Sequence, residues 1–166
     1  MTTATASSLT VYRDQVREEW VDYNGHLRDA FYLLIFSYAS DALIERIGLD
    51  DATRRARQRS IYTLEAHLNY LHEIRLGTAV HVDARVLEVD AKRIHLYLEM
   101  FAEGVAGPVS ASEQMLMHID TIGPKAAPFD ADVAERLAGM VARQQGLPAP
   151  AHAGRVIGLP PARPAR

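Results

Sequence analysis

The stretch Asp22-Tyr23-Asn24-Gly25-His26, followed without a break by Leu27-Arg28-Asp29-Ala30-Phe31-Tyr32-Leu33-Leu34-Ile35-Phe36, decides how the rest of the chain reads. Its first half is a turn: Asp and Asn side chains bond their own backbone, and glycine takes conformations that other residues avoid. In its second half the apolar residues Leu27, Ala30, Phe31, Leu34, Ile35, Tyr38 and Ala42 follow helical spacing, and Leu33, Phe36 and Leu43 widen the stripe toward the full circumference. A helix of that kind is predicted to be wrapped on most sides, with Gly48 as its C-terminal stop. A carboxylate, an amide and an imidazole arrive together at a helix start, where unpaired N–H groups and a positive partial charge favour an anion or a developing oxyanion.

Working outward, residues 8–20 mix Val11, Tyr12, Val16 and Trp20 with charges and read as a first strand. After the helix, residues 50–59 form a charged connector with room for a short helical turn. Residues 62–74 alternate, with Tyr62, Leu64, Ala66, Leu68, Tyr70, His72 and Ile74 on the predicted core face and Thr63, Glu65, His67, Asn69 and Glu73 opposite. Residues 78–89 form the next strand, with a phase slip near Leu87 that suggests a bulge. A hairpin at Asp90-Ala91-Lys92 leads into a strand from Arg93, and a last strand covers residues 109–120. The sheet is expected to be mainly an antiparallel meander. Residues 129–145 have the spacing of an amphipathic helix, and from Leu147 to Arg166 Pro, Ala and Arg replace periodicity, which reads as an extended or disordered tail. The fold class is therefore α+β: one domain over residues 1–146, an antiparallel sheet wrapped around a long central apolar helix. A sheet that keeps an uncovered apolar strip or open edge finds it a partner, so a dimer is expected.

The 166 residues, 48% hydrophobic and 23% charged, are enough for one well-buried core. A net charge of −3 argues against nucleic acid or an anionic membrane as partner and in favour of a small molecule. Cysteine is absent, which removes disulfides, a thiolate nucleophile and thiolate metal ligands, and leans toward the cytoplasm. No targeting signal and no stretch of about 18 apolar residues is present. The seven histidines are scattered without ligand spacing, so no metal is expected. Neither a phosphate loop nor a Gly-x-Ser-x-Gly elbow occurs.

The strand, the Asp-x-Asn-Gly-His turn, the apolar helix ending near Gly48 and a strand carrying Asn69-Tyr70 seven residues before Gly77 together resemble the hotdog-fold acyl-CoA thioesterases of the 4-hydroxybenzoyl-CoA thioesterase type, over residues 9–120. Within that family, Asp22 to His26 followed by Asp29-Ala30-Phe31-Tyr32 is most similar to the betainyl-CoA thioesterases of carnitine breakdown. The chain departs from many relatives in carrying Arg28 and Asp29 where they have two asparagines. The resemblance implies a homodimer or a tetramer with active sites between subunits, an acyl-CoA substrate, no cofactor, and Asp22 as the catalytic carboxylate, acting as base on water or as nucleophile through an anhydride.

Thioester hydrolysis needs such a carboxylate and donors for the oxyanion. The backbone N–H groups around Gly25 and His26 are the expected donors, Asn24 can orient water or the thioester, and the His26 imidazole suits proton transfer or bracing of the turn. The same residues also suit a plain helix cap. Glu65 and His67 share a strand face and can reach a ligand, although such residues also serve solubility. A trimethylammonium would call for aromatic walls, for which Trp20, Tyr23 and Tyr62 are candidates, with Glu65 adding charge. Arg54, Arg55, Arg57 and Arg59 suit either CoA phosphates or a solvated connector. The alternative function is a non-catalytic acyl-CoA-binding module on the same fold.

Overall fold

The computed structural model describes residues 8–159. In chain order it contains β1 (Leu9–Gln15), a 3-10 turn (Glu18–Trp20), α1 (Asp29–Arg46), α2 (Asp51–Arg57), β2 (Arg59–Tyr70), β3 (Ala79–Val89), β4 (Arg93–Ala102), β5 (Pro108–Asp120), β6 (Lys125–Ala126) and α3 (Ala131–Gln144). The sheet runs β1-β3-β4-β5-β2, with the short β6 beside β5, and every pairing is antiparallel. Only β3, β4 and β5 form the expected meander. The strand before them, β2, crosses to the far edge and pairs with β5.

α1 lies across one face of this sheet, where Ile35, Phe36, Ala39 and Leu43 share one buried core with Leu96, Leu98 and Met100 of β4. Each such large side chain contributes roughly 1.5–3 kcal/mol of hydrophobic stabilisation. Its end follows the sequence closely: Gly48, at φ 93°, lets the Leu49 amide return to the Ile44 carbonyl at 3.1 Å. Among the described residues the predicted all-round wrapping is not present. Leu33 and Tyr38 are 44% and 37% exposed, because one sheet covers one side of a helix.

Two further expectations change. The first strand stops at Gln15, and Glu18–Trp20 turns inward to bury Trp20. On β2 the predicted single core face is broken: the register slips between Thr63 and Glu65, so Tyr62 lies opposite Met117 and Tyr70 opposite Ser110 on different faces, with Tyr62 45%, Leu64 49% and Tyr70 55% exposed while Leu68 packs against the core and Ile74 is buried. The bulge expected near Leu87 is present as a register shift between Val86 and Glu88. α3 adds Val133, Leu137 and Met140 to the same core, and its Gln144 amide bonds Val86 N–H and the Ala84 carbonyl at 2.9 Å each along the β3 edge.

Beyond α3, residues 147–159 run across β3 to β5, where Arg85 donates to the Pro148 carbonyl at 2.7 Å and Gly154 N–H donates to Glu113 at 2.6 Å. The rest of the proposed tail, residues 160–166, lies outside the described residues. Among the described residues no helix is long and apolar enough to cross a membrane.

Candidate active site

The Asp22 turn is built by main-chain bonds that the sequence dictates. Gly25 N–H donates to the Asp22 carbonyl at 2.9 Å and Asp22 N–H to the His26 carbonyl at 2.8 Å, which requires the φ of 76° that Gly25 adopts. Leu27 N–H then donates to the Ile74 carbonyl at 2.8 Å and Leu76 N–H to the Gly25 carbonyl at 3.1 Å. These bonds fasten the turn to the segment that leaves β2, and the chain enters α1 at Asp29.

The Asp22 carboxylate is held at one oxygen, where Oδ1 accepts Asn24 N–H at 2.8 Å and His26 N–H at 3.1 Å. Its pKa lies below the ordinary carboxylate value, chiefly through the His26 amide and then the Asn24 amide, opposed by partial burial. Among the described residues Oδ2 has no hydrogen-bond partner. The charged form is thus fixed in orientation with one oxygen open.

The expected oxyanion donors are corrected by the same bonds: the N–H groups of Gly25 and His26 are both turned onto Asp22. The N–H that the helix start leaves without an acceptor among the described residues is that of Asp29, since Arg28 N–H reaches the Trp20 carbonyl and Ala30 N–H reaches the Asp29 side chain. The His26 imidazole stands 3.7 Å from Glu73, so it braces the turn against the strand exit. Asn24 is exposed, and Tyr23 is 93% exposed on the turn's outer side.

The other candidates lie elsewhere. Trp20 is buried, stacked on Phe31 at 6.1 Å and covered by the Arg17 guanidinium at 4.5 Å, so its face already holds a cation and is closed to substrate. Glu65 and His67 line an open pocket of about 510 Å³ with His95 and Glu113, the last two 2.7 Å apart. That pocket is on the sheet face away from α1: His67 pairs with Glu113, whereas the neighbouring Gln114 bonds Ser40 of the helix. Tyr62 and Arg59 sit at the end of β2 remote from the turn, with Arg59 3.4 Å from Asp120. The arginine run is spent on carboxylates: Arg54 and Arg55 pair with Asp51, and Arg57 forks onto Asp132 at 2.9 Å and Asp130 at 3.1 Å, tying α2 to the start of α3. Within this chain the run braces helices.

Sequence reasoning missed the cavity beside the turn. It measures about 260 Å³ and is lined by Leu27, Asp29, Tyr32, Tyr70 and Glu73 among others. Alternation had placed Tyr70 on a strand, but its meeting with Tyr32 of α1, at 5.3 Å between perpendicular rings, is a tertiary contact with no local signature. Among the described residues no group of three or more His, Asp or Glu side chains is placed to hold a metal ion.

Fold and turn together define a class. Residues 16–137 match the thioesterase-like superfamily, and the chain belongs to it. In particular, it is 50% identical over 155 residues to a betainyl-CoA thioesterase of Pseudomonas aeruginosa, a match covering 93% of this chain and 98% of that protein. It is also 37% identical over 150 residues to an L-carnitine dehydrogenase/betainyl-CoA thioesterase of Rhizobium meliloti, covering 90% of this chain and 30% of the longer one. A Staphylococcus aureus protein solved in complex with CoA superposes with a TM-score of 0.86 at 28% identity, covering 92% of this chain and 97% of that one.

Proposed function

We propose that this protein hydrolyses betainyl-CoA to betaine and CoA as a homodimer, with Asp22 as the catalytic carboxylate. The observation that carries the reading is the Asp22 carboxylate, fixed at Oδ1 by two main-chain amides with Oδ2 open at the start of α1. The relatives named above supply the substrate.

In the base route Oδ2 takes a proton from water, the hydroxide adds to the thioester carbonyl, and the tetrahedral intermediate expels the CoA thiolate, which leaves with the proton. In the nucleophile route Oδ2 itself adds, CoA leaves, and water cleaves the resulting anhydride. Either way negative charge develops on the carbonyl oxygen, and the free Asp29 N–H at the positive end of α1 is the donor we assign to it. Neither route needs a cofactor.

The dimer completes the site. Antiparallel pairing of two β2 edges about a two-fold axis at mid-strand carries Arg59 of the partner subunit and Tyr62 of the partner subunit toward this turn. That pairing returns both residues to the substrate's neighbourhood.

The test is thiol release from betainyl-CoA by purified protein. Asp22→Asn should lower kcat by at least about 10³-fold with an unchanged melting temperature, in line with loss of an essential acid–base or nucleophilic group. Parental rates from the Asn variant would sink the reading. Single-turnover reaction in 18O-water identifies the nucleophile route if label appears in Asp22, since the base route never exchanges an Asp22 oxygen.

A further inference from the structure

We propose that the cavity beside the turn is the site for the substrate's quaternary ammonium, with Tyr32 and Tyr70 as its aromatic walls and Asp29 and Glu73 as its counter-charges. The inference rests on betainyl-CoA being the substrate and assigns residues that recognise it.

The chemistry of the acyl group sets the location. In a betainyl thioester one methylene separates the nitrogen from the carbonyl carbon, a distance of about 2.5 Å by standard bond lengths. Whatever binds the cation must therefore lie next to the thioester carbonyl on which Asp22 acts. The pocket holding Glu65 and His67 is on the opposite face of the sheet, and Trp20 is capped by Arg17, so neither meets that condition.

The 260 Å³ cavity lies against the turn that carries Asp22, on the α1 side of the sheet. Leu27 on its wall pairs with Val21 across the turn, and Asp29 on its wall carries the free N–H at the helix start. Glu73 stands 3.7 Å from His26.

A trimethylammonium neither donates nor accepts a hydrogen bond of the ordinary kind, so recognition must come from π-faces and net negative charge. Tyr32 and Tyr70 both line the cavity and meet edge to face at 86°, Tyr32 almost wholly buried and Tyr70 about half exposed. Tyr32 is locked by its hydroxyl, which donates to the His72 carbonyl at 3.1 Å, while Tyr70 remains half open to an entering group. The helix start that favours an oxyanion would by itself repel a cation only two bonds from the carbonyl carbon. Asp29 and Glu73 offset that repulsion and give each end of the short acyl group its own field.

The experiment compares kcat/KM for betainyl-CoA with that for 3,3-dimethylbutyryl-CoA, which has the same shape with carbon in place of the charged nitrogen. The parental protein should prefer the cation by at least tenfold. Tyr70→Leu should cut that ratio about tenfold, the size of a partly desolvated cation–π contact, whereas Tyr70→Phe should keep it. Glu73→Gln, at an exposed side chain where folding is not at stake, should cut the ratio several-fold. Equal turnover of the two thioesters by the parental protein, or a ratio unmoved by both Tyr70→Leu and Glu73→Gln, overturns the cation site and leaves the thioesterase standing. Hydrolysis of neither thioester overturns the proposed function and this inference with it.

Discussion

At the scale of single residues, Asp22 and Asp90 solve related problems differently. Both accept main-chain N–H groups from their own turn: Asp22 from Asn24 and His26, Asp90 from Lys92 at 2.9 Å and Arg93 at 2.7 Å. Asp90 also spends its second oxygen, on the Arg93 guanidinium at 2.7 Å, whereas Asp22 leaves its second oxygen free. The Lys92 amide and the Arg93 side chain lower the Asp90 pKa to about 2 from an ordinary 3.8. A depressed carboxylate contributes stability above its unfolded value and loses it as pH falls through its folded value. Asp90→Ala should therefore destabilise the protein at pH 7, and the gap in urea midpoint between variant and parent should narrow as pH is lowered from about 4 toward 2. A gap independent of pH over that window would assign the role of Asp90 to turn geometry alone.

At the scale of elements, what the sequence made legible was what is local. The turn, the helix that follows, its Gly48 stop and the bulge near Leu87 all follow from spacing within a few residues of each other. The crossing of β2 to the edge was hidden, because alternation states which residues share a face and not which strand lies beside them. The Tyr32–Tyr70 cavity was hidden for the same reason. So was the polar layer under α1, since Ser112 and Gln114 interrupt the apolar pattern of β5 yet are buried. There Ser40 Oγ donates to Gln114 Oε1 at 2.9 Å and Gln114 Nε2 donates to Ser112 Oγ at 3.2 Å, joining helix to sheet inside the core. Removing one partner strands a buried polar group, while removing both leaves an apolar contact. Ser40→Ala is expected to cost about 1–3 kcal/mol, and Ser40→Ala combined with Gln114→Met less than the sum of the single changes. Strict additivity in chemical denaturation would show that the two side chains act independently.

At the scale of the whole molecule, the single chain leaves a coherent region unfinished. Among the described residues β2 has no neighbour on its outer edge, Tyr62, Leu64 and Tyr70 are about half exposed along it, and α1 exposes Leu33. Singly these are ordinary surface residues, but a long edge strand with apolar side chains is a template for pairing, and a second copy satisfies it with the same strand reversed. The turn with Asp22 is stitched to the segment leaving β2, so in the proposed pairing a partner's strand would end near the Asp22 carboxylate. Assembly and activity should then fall together. Leu64→Lys places a charge at the middle of the proposed seam, where two-fold symmetry sets it near its own copy. In sedimentation the parental protein should run as a dimer or a multiple of it, the variant should shift to monomer at micromolar concentration, and kcat/KM for betainyl-CoA should drop at least tenfold as the dimer dissociates. A parental monomer with full activity, or a monomeric variant that retains parental kcat/KM, would show that one chain carries a complete site and that the exposed strip serves another purpose.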